Sequence, residues 1–63
     1  MSVLFDNILK KRRIKKGSIE FFIRESLNRK ERYEVEVVDG YKQLYCQSNL
    51  TSNKAKEVYE KFM

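Results

Sequence analysis

Apolar and polar residues alternate on both sides of an Asp39-Gly40 dipeptide near the middle of the chain. The stretch from 32 to 47 has the sequence RYEVEVVDGYKQLYCQ. A dipeptide of this kind between two alternating runs is the strongest short-range signal for a β-hairpin with a two-residue loop. Gly40 supplies the positive φ that such a loop requires. We therefore predict a hairpin whose loop is Asp39-Gly40.

The loop determines which residues of the two strands face each other and which side of the sheet each one occupies. The predicted register pairs Val38 with Tyr41, Val37 with Lys42, Glu36 with Gln43, Val35 with Leu44, Glu34 with Tyr45 and Tyr33 with Cys46. The side assigned to the core carries Tyr33, Val35, Val37, Leu44 and Cys46.

A second alternating run, SIEFFIRE from 18 to 25, predicts another strand. Ile19, Phe21 and Ile23 join the core side if the following loop holds an odd number of residues, and a three-residue turn at 27–29 is the simplest solution. The three strands then form a meander with residues 32–38 in its centre.

Helical spacing of apolar residues appears at both ends of the chain. Near the N-terminus it predicts a short helix from Ser2 to about Arg13. Gly17 is a natural C′ residue, so the helix is expected to stop there at the latest. The apolar face of this helix carries Leu4, Phe5, Ile8 and Leu9. In residues 49–63 it predicts a helix that packs on the core side of the sheet. This helix begins at one of three good N-caps, Thr51, Ser52 or Asn53, and its apolar face carries Ala55, Val58, Tyr59 and Phe62.

The predicted fold is α+β: a three-stranded antiparallel β-meander, a C-terminal helix packed on one face and a short N-terminal helix, in the order α-β-β-β-α. At 63 residues we expect one small domain, with residues 1–16 as a basic helical segment and 18–63 as a sheet-plus-helix body. A core this small needs support, and one cysteine without histidine provides neither a disulfide nor a structural zinc site. We therefore expect dimerisation or very thorough packing.

The lone cysteine indicates a reducing compartment, so we expect a cytoplasmic protein. The N-terminal apolar stretch is too short for a signal peptide, and its charges follow rather than precede it. No stretch is apolar enough to predict an integral membrane protein.

The charge of the chain is concentrated near its N-terminus. The net charge is +5, and residues 1–16 account for all of it, because residues 17–63 hold eight Lys/Arg and eight Asp/Glu. The run KKRRIKK forms a dense positive field that attracts polyanions through counterion release. The candidate nucleic-acid contacts are Lys10, Lys11, Arg12, Arg13, Lys15 and Lys16, with Arg24 and Arg32 extending the patch.

Catalysis is nearly excluded by residue type. The chain has no histidine for acid–base chemistry at neutral pH, and Cys46 is predicted to lie in the core as a small apolar residue. Glu34 and Glu36 alternate on one strand, which is typical of an exposed strand face. With two glycines there is no phosphate-binding loop. We expect no enzyme activity, no cofactor and no metal site.

The predicted open face of the sheet is the second candidate site. It presents Phe22, Val38, Tyr41 and Tyr45 as a partner or dimer face. Aromatic and basic residues on a sheet face can stack bases, but three glutamates on the same side oppose phosphate. Burial of this face beneath the N-terminal helix, or against a second copy, is favoured over base stacking because monomers avoid exposed apolar patches.

The leading hypothesis is a small, non-enzymatic accessory protein that binds DNA or RNA through its basic N-terminal segment, by phosphate contacts with little sequence readout. The competing hypothesis is a protein–protein interaction module or inhibitor, of a kind that viruses and mobile elements encode. It would be homodimeric and use the open sheet face or an exposed strand edge. A third reading is a membrane-surface segment formed by the apolar face of the first helix.

The layout of a three-stranded meander followed by a helix resembles the small arm-site DNA-binding modules at the N-termini of phage-type integrases. The segment QSNLTSNKAKEVYEKF is similar to the ending of those modules, and the resemblance covers roughly residues 18–63. Those modules read DNA with their sheet. The acidic open face of this chain departs from that pattern, so no binding residues are transferred.

Overall fold

Four antiparallel strands and two helices form the part of the chain that the computed structural model describes, residues 5–63. The elements are α1 (Phe5–Lys11), β1 (Arg13–Lys16), β2 (Ile19–Glu25), β3 (Tyr33–Asp39), β4 (Lys42–Leu50) and α2 (Ser52–Phe62). The predicted α+β class with an antiparallel sheet and two helices is confirmed. The predicted strand number is wrong, because the sheet has four strands in the order β1-β2-β3-β4. The predicted start of the first helix at Ser2 lies outside the described residues.

The first helix ends earlier than its sequence suggests. Arg12 adopts a φ of 62°, and its N–H donates to the Ile8 carbonyl oxygen at 3.2 Å. A left-handed residue with this hydrogen bond is a common helix C-terminal motif. The predicted extension to about Arg13 is therefore wrong, and the chain turns out of α1 after Lys11.

The residues that follow form the additional strand. β1 pairs antiparallel with β2, and Lys16 lies opposite Ile19. Gly17 was predicted to end the first helix. Instead it begins the two-residue loop Gly17-Ser18, with a φ of 62°. A glycine at the first loop position, followed by a residue without positive φ, is the pattern of a type II′ hairpin. The second half of the basic run is thus an edge strand of the sheet.

The central hairpin exists, but its loop is displaced by one residue. Asp39 lies opposite Lys42, so the loop is Gly40-Tyr41, and Gly40 has a φ of 62° at the first loop position. Val38 consequently faces Gln43 rather than Tyr41. A displacement of one residue in the loop changes the register by two, which by itself leaves every side chain on its predicted face.

A β-bulge then reverses the faces of β4. Val38 pairs with Gln43, but Val37 pairs with Tyr45, which leaves Leu44 as an extra residue. One extra residue exchanges the two faces of the residues that follow it, here as far as Gln47, and a second irregularity separates Gln47 opposite Val35 from Leu50 opposite Tyr33. Tyr45, predicted on the open face, therefore lies on the helix side, and Cys46, predicted in the core, is exposed.

The pairing of β2 with β3 follows the predicted parity. Ile19 lies opposite Asp39 and Glu25 opposite Tyr33, so the loop covers residues 26–32, an odd number. The predicted three-residue turn at 27–29 is too short, but a loop longer by an even number keeps the same faces. The assignment of the apolar residues of β2 and β3 to the core side is confirmed.

The C-terminal helix follows its prediction closely. Thr51 is the N-cap, and its hydroxyl accepts a hydrogen bond from the Lys54 N–H at 3.2 Å. Ala55 and Val58 are buried, and the Tyr59 ring lies against Phe21 of β2 with ring centroids 5.3 Å apart.

Both helices pack on the same face of the sheet, which we call the inner face. The buried residues come from α1, β2, β3 and α2: Ile8, Phe21, Ile23, Val35, Val37, Ala55 and Val58. Phe5 at the start of α1 contacts Tyr33 of β3 with ring centroids 4.9 Å apart. The expectation that the first helix could cover the opposite face is wrong, because its apolar side belongs to the same core as α2.

Neither helix in residues 5–63 has the length and apolar character needed to cross a membrane.

Replacement of Ile8, which is 1 % exposed, tests whether α1 belongs to the core. We expect Ile8→Ala to lower the free energy of unfolding by about 2–5 kcal/mol and Ile8→Val by about 0.5–1.5 kcal/mol, since both leave a cavity among packed side chains. Chains of this size are stable by only about 3–9 kcal/mol, so the valine variant keeps the measurement within range. Urea unfolding followed by circular dichroism gives both values.

Leu27→Ala is the matched control, because Leu27 is 94 % exposed and its truncation should change the free energy of unfolding by less than about 0.5 kcal/mol. Equal losses in the Ile8 and Leu27 variants would show that α1 does not contribute to the core.

Candidate functional site

The fold divides the basic run KKRRIKK into three groups with different surroundings. Lys10 and Lys11 occupy the exposed last turn of α1, and Arg12 lies at the junction with β1. Arg13 and Lys15 alternate on one side of β1. Lys16 lies on the other side, and its Nζ donates to the Met63 carbonyl oxygen at 2.7 Å. The run is thus neither a continuous helical ridge nor a flexible arm.

Arg12 is fixed in position by its own backbone. Its N–H donates to Ile8 in α1, and its carbonyl oxygen accepts from the Ile23 N–H of β2 at 3.0 Å. The side chain is exposed. It lines a notch with Leu9, Arg24, Glu25 and Leu27, and it also reaches the rim of a groove on the opposite face of the sheet.

A second basic segment lies at the same end of the sheet. The loop of residues 26–32 connects β2 to β3 there, and it is closed by a hydrogen bond from the Ser26 N–H to the Arg32 carbonyl oxygen at 2.9 Å. The cations that share this end are called the basic end: Lys10, Lys11, Arg12, Arg24, Arg29, Lys30 and Arg32. The loop also carries Glu31, and Glu25 stands just before it. Cations separated by about a dozen residues or more in the sequence are thereby gathered on one side of the molecule.

The face of the sheet opposite the helices is called the outer face. Cross-strand pairing sets two of its rows: Arg13, Phe22, Glu36 and Cys46 in one, and Lys15, Glu20, Val38 and Gln43 in the next. Arg24 and Glu34 form a third row next to the basic end. Cations therefore lie toward β1 and β2, and carboxylates lie on β2 and β3.

Each carboxylate of the outer face has a partner. Glu20 accepts from Arg13 at 2.6 Å, Glu34 pairs with Arg24, and Glu36 accepts from the Gln43 amide at 2.6 Å. The arginine side chains of these pairs are mostly exposed. Pairs of this kind contribute about 0.2–1 kcal/mol each, so they balance charge more than they stabilise the fold.

Phe22 is the central aromatic side chain of the outer face. It is half-buried and lies between Arg13 and Glu36 in its row. The Arg13 guanidinium is 5.8 Å from the ring centroid, within the range of a cation–π contact. An open groove of about 670 Å³ extends over this region, lined among others by Arg12, Arg24, Gln47 and Ser48.

The predicted partner face is only partly assembled. Phe22 and Val38 lie on the outer face as predicted. Tyr41 is fully exposed in the loop after β3, away from the groove. Tyr45 packs against Phe62 of α2, with ring centroids 6.1 Å apart. The Leu44 bulge is the physical reason for the position of Tyr45, and the displaced loop Gly40-Tyr41 is the reason for that of Tyr41. The sequence carries no residue that marks a bulge at this position.

Arg32 is half-buried, and its Nη1 donates to the Glu31 carbonyl oxygen at 3.1 Å. It therefore makes a hydrogen bond within the loop of residues 26–32 and also adds a positive charge to that loop. The apolar face of α1 is packed against the sheet. It is therefore not available for the membrane-surface role considered above.

Residues 5–63 contain no group of three or more His, Cys, Asp or Glu side chains placed to hold a metal ion. Over the same range, every buried side-chain nitrogen or oxygen atom has a hydrogen-bond partner.

Comparison of the chain with protein-family models, with curated proteins and with solved structures gives no match. The resemblance to arm-site modules rested on a three-stranded meander, and the four-stranded sheet departs from that layout.

The exposure of Cys46 leads to a direct chemical test. We expect one thiol per native chain to react with Ellman's reagent at a rate within about tenfold of that in urea, because access limits thiol reactions at a given pH. Cys46→Ser is the blank. A native thiol that reacts only as fast as the chain unfolds would place Cys46 in the core, and the β4 register described here would be wrong.

Proposed function

We propose that this protein is a small, non-enzymatic, cytoplasmic accessory protein that binds nucleic acid through the basic end, by contacts to phosphates with little reading of sequence. The observation that supports this most is that the first part of the basic run, Lys10 to Arg12, lies at the same end of the sheet as the loop of residues 26–32. A positive surface built from two separate segments attracts polyanions, and phosphate contacts fix position without distinguishing bases.

The cations of the basic end differ in how free they are to meet a phosphate. The salt bridges within residues 5–63 are Arg13–Glu20 and Arg24–Glu34, so Lys10, Lys11 and Arg12 are not neutralised by a carboxylate there. We assign the main phosphate contacts to these three residues. Arg24 extends the patch because an exposed ion pair worth about 0.2–1 kcal/mol is readily exchanged for a phosphate.

The remaining cations of the run have secondary roles in this proposal. Arg13 and Lys15 charge the outer face. Lys16 belongs to the opposite side of β1 and holds the C-terminal residue through its hydrogen bond to Met63.

The edges of the sheet favour a protein partner as the second candidate function. β1 is short and has three charged residues of four, whereas β4 has nine residues and one charge, Lys42. A long edge strand with few charges can pair with a strand of another chain. Association through this edge would be much less sensitive to salt than phosphate binding.

Removal of three charges tests the nucleic-acid proposal. We expect the variant Lys10→Gln, Lys11→Gln, Arg12→Gln to weaken binding to duplex and single-stranded DNA and RNA. The slope of log Kobs against log salt should become shallower by about 2–3, since each lost phosphate contact removes about 0.7–0.9. Fluorescence anisotropy titrations at several salt concentrations measure both quantities.

The matched control removes three exposed lysines outside the basic end, Lys42→Gln, Lys54→Gln and Lys61→Gln. It makes the same change in net charge, and its salt slope should change by less than about 1. An equal loss of affinity and of salt slope in both variants would show that binding depends on the overall charge and not on the basic end. The absence of any binding by the wild-type chain at low salt would refute the proposed function and direct attention to the β4 edge.

A further inference from the structure

The outer face of the sheet is uncovered in residues 5–63. Both helices contribute their apolar sides to the inner core, and Ile8 of α1 lies in the same cluster as Ala55 and Val58 of α2. Phe22 and Val38 remain on the other side, half-buried only by their strand neighbours. An aromatic side chain that lines an open groove is thus accessible to a ligand.

The fourth strand changes the charge of this face. Without β1, the face would carry three glutamates against Arg24 of β2, which opposes a polyanion. β1 adds Arg13 and Lys15 in the rows that contain Phe22 and Glu20. Cations and carboxylates on the strands then balance in number, and Arg12 adds a further positive charge at the rim of the groove.

The three glutamates are also individually compensated. Two are paired with arginines and the third accepts from the Gln43 amide. A phosphate that approaches from the basic end first meets Arg12 and Arg24, both of which line the groove. The groove is therefore electrostatically continuous with the basic end.

We propose that the outer face binds single-stranded nucleic acid, with one base stacked on the Phe22 ring while the neighbouring phosphates lie along Arg12, Arg24 and the basic end. This inference rests on the proposed function and gives it a substrate class. A duplex keeps its bases stacked and paired inside, so only an unpaired strand can place a base on an aromatic side chain.

The contact between Arg13 and the Phe22 ring does not prevent stacking. An exposed cation–π contact changes an equilibrium by about two- to fivefold, whereas stacking of a base on an aromatic ring changes affinity by about 5- to 150-fold. The Arg13 side chain is 63 % exposed, and its ion pair with Glu20 is of the weak, exposed kind that a phosphate can replace when a base takes its place over the ring. Gln47 and Ser48 of β4 also line this groove.

The test compares an oligothymidylate of about 12 nucleotides, an abasic strand of the same length and a duplex of the same length, because single-strand sites in proteins cover about 4–16 nucleotides. We expect the wild-type chain to prefer the oligothymidylate to the abasic strand. Phe22→Leu should weaken binding of the oligothymidylate by about 5- to 150-fold while changing duplex affinity by less than about twofold. Phe22→Tyr keeps the aromatic ring and should restore binding.

Tyr41→Leu is the control variant, since Tyr41 is a fully exposed aromatic side chain in the loop after β3, outside the groove. It should leave all three affinities unchanged. Circular dichroism tests whether each variant is folded. If Phe22→Leu is unfolded, the comparison of abasic with normal strands still tests the inference, because it uses only the wild-type chain.

The other outcomes distinguish the two proposals. Equal wild-type affinity for abasic and normal strands, or unchanged binding by folded Phe22→Leu, overturns stacking and leaves the phosphate-binding function intact. The absence of binding to every probe at low salt overturns both. A wild-type dimer in sedimentation that Phe22→Leu dissociates without loss of nucleic-acid binding would show that a second copy covers the face, and would overturn this inference.

Discussion

The structure depends on one constraint: two short helices provide only enough apolar surface to cover one face of a four-stranded sheet. α2 buries Ala55 and Val58, and α1 adds Ile8 to the same cluster. The hydrophobic effect rewards a single contiguous core over two half-covered faces, because isolated apolar contacts at the surface remove less area from water. Once both helices lie on the inner face, the outer face has to be compatible with exposure.

Charge pairing across neighbouring strands makes this exposure tolerable. The glutamates of β2 and β3 meet arginines of β1 and β2 or an amide of β4, so the outer face has many ionic groups and little net charge. β1 has a double role in this arrangement. Its short, charged sequence protects one edge of the sheet from pairing with another chain, and the same cations reduce the repulsion that the face would present to a polyanion. The proposed functions of the basic end and of the outer face therefore share one structural origin, the folding of the basic run back onto β2.

The elements with a clear period were predictable. β2 and β3 carry apolar residues at every second position, and their buried residues Phe21, Ile23, Val35 and Val37 were assigned to the correct face although the loop between the strands is longer than expected. α2 has helical spacing and an N-cap, and it packs as predicted. The strand β1 within the basic run was not predicted, because RIKK has a single apolar residue and therefore no period in its apolar positions. Its only local signal is Gly17-Ser18, a dipeptide that suits the loop of a hairpin. The faces of β4 were wrong because a bulge depends on how two strands pair and not on the composition of either one.

The sequence by itself determined the class of the fold, the core residues of the two central strands, the last helix and the existence of a dense positive segment. These are local properties: they follow from the spacing of apolar side chains over a few residues and from formal charge. Only the tertiary structure decided that half of the positive segment is a strand, that Tyr45 and Cys46 exchange sides, and that the basic loop meets Arg12 at one end of the sheet. Those outcomes depend on hydrogen bonds between segments far apart in the chain, such as the one from the Ile23 N–H to the Arg12 carbonyl oxygen, and no local pattern encodes them.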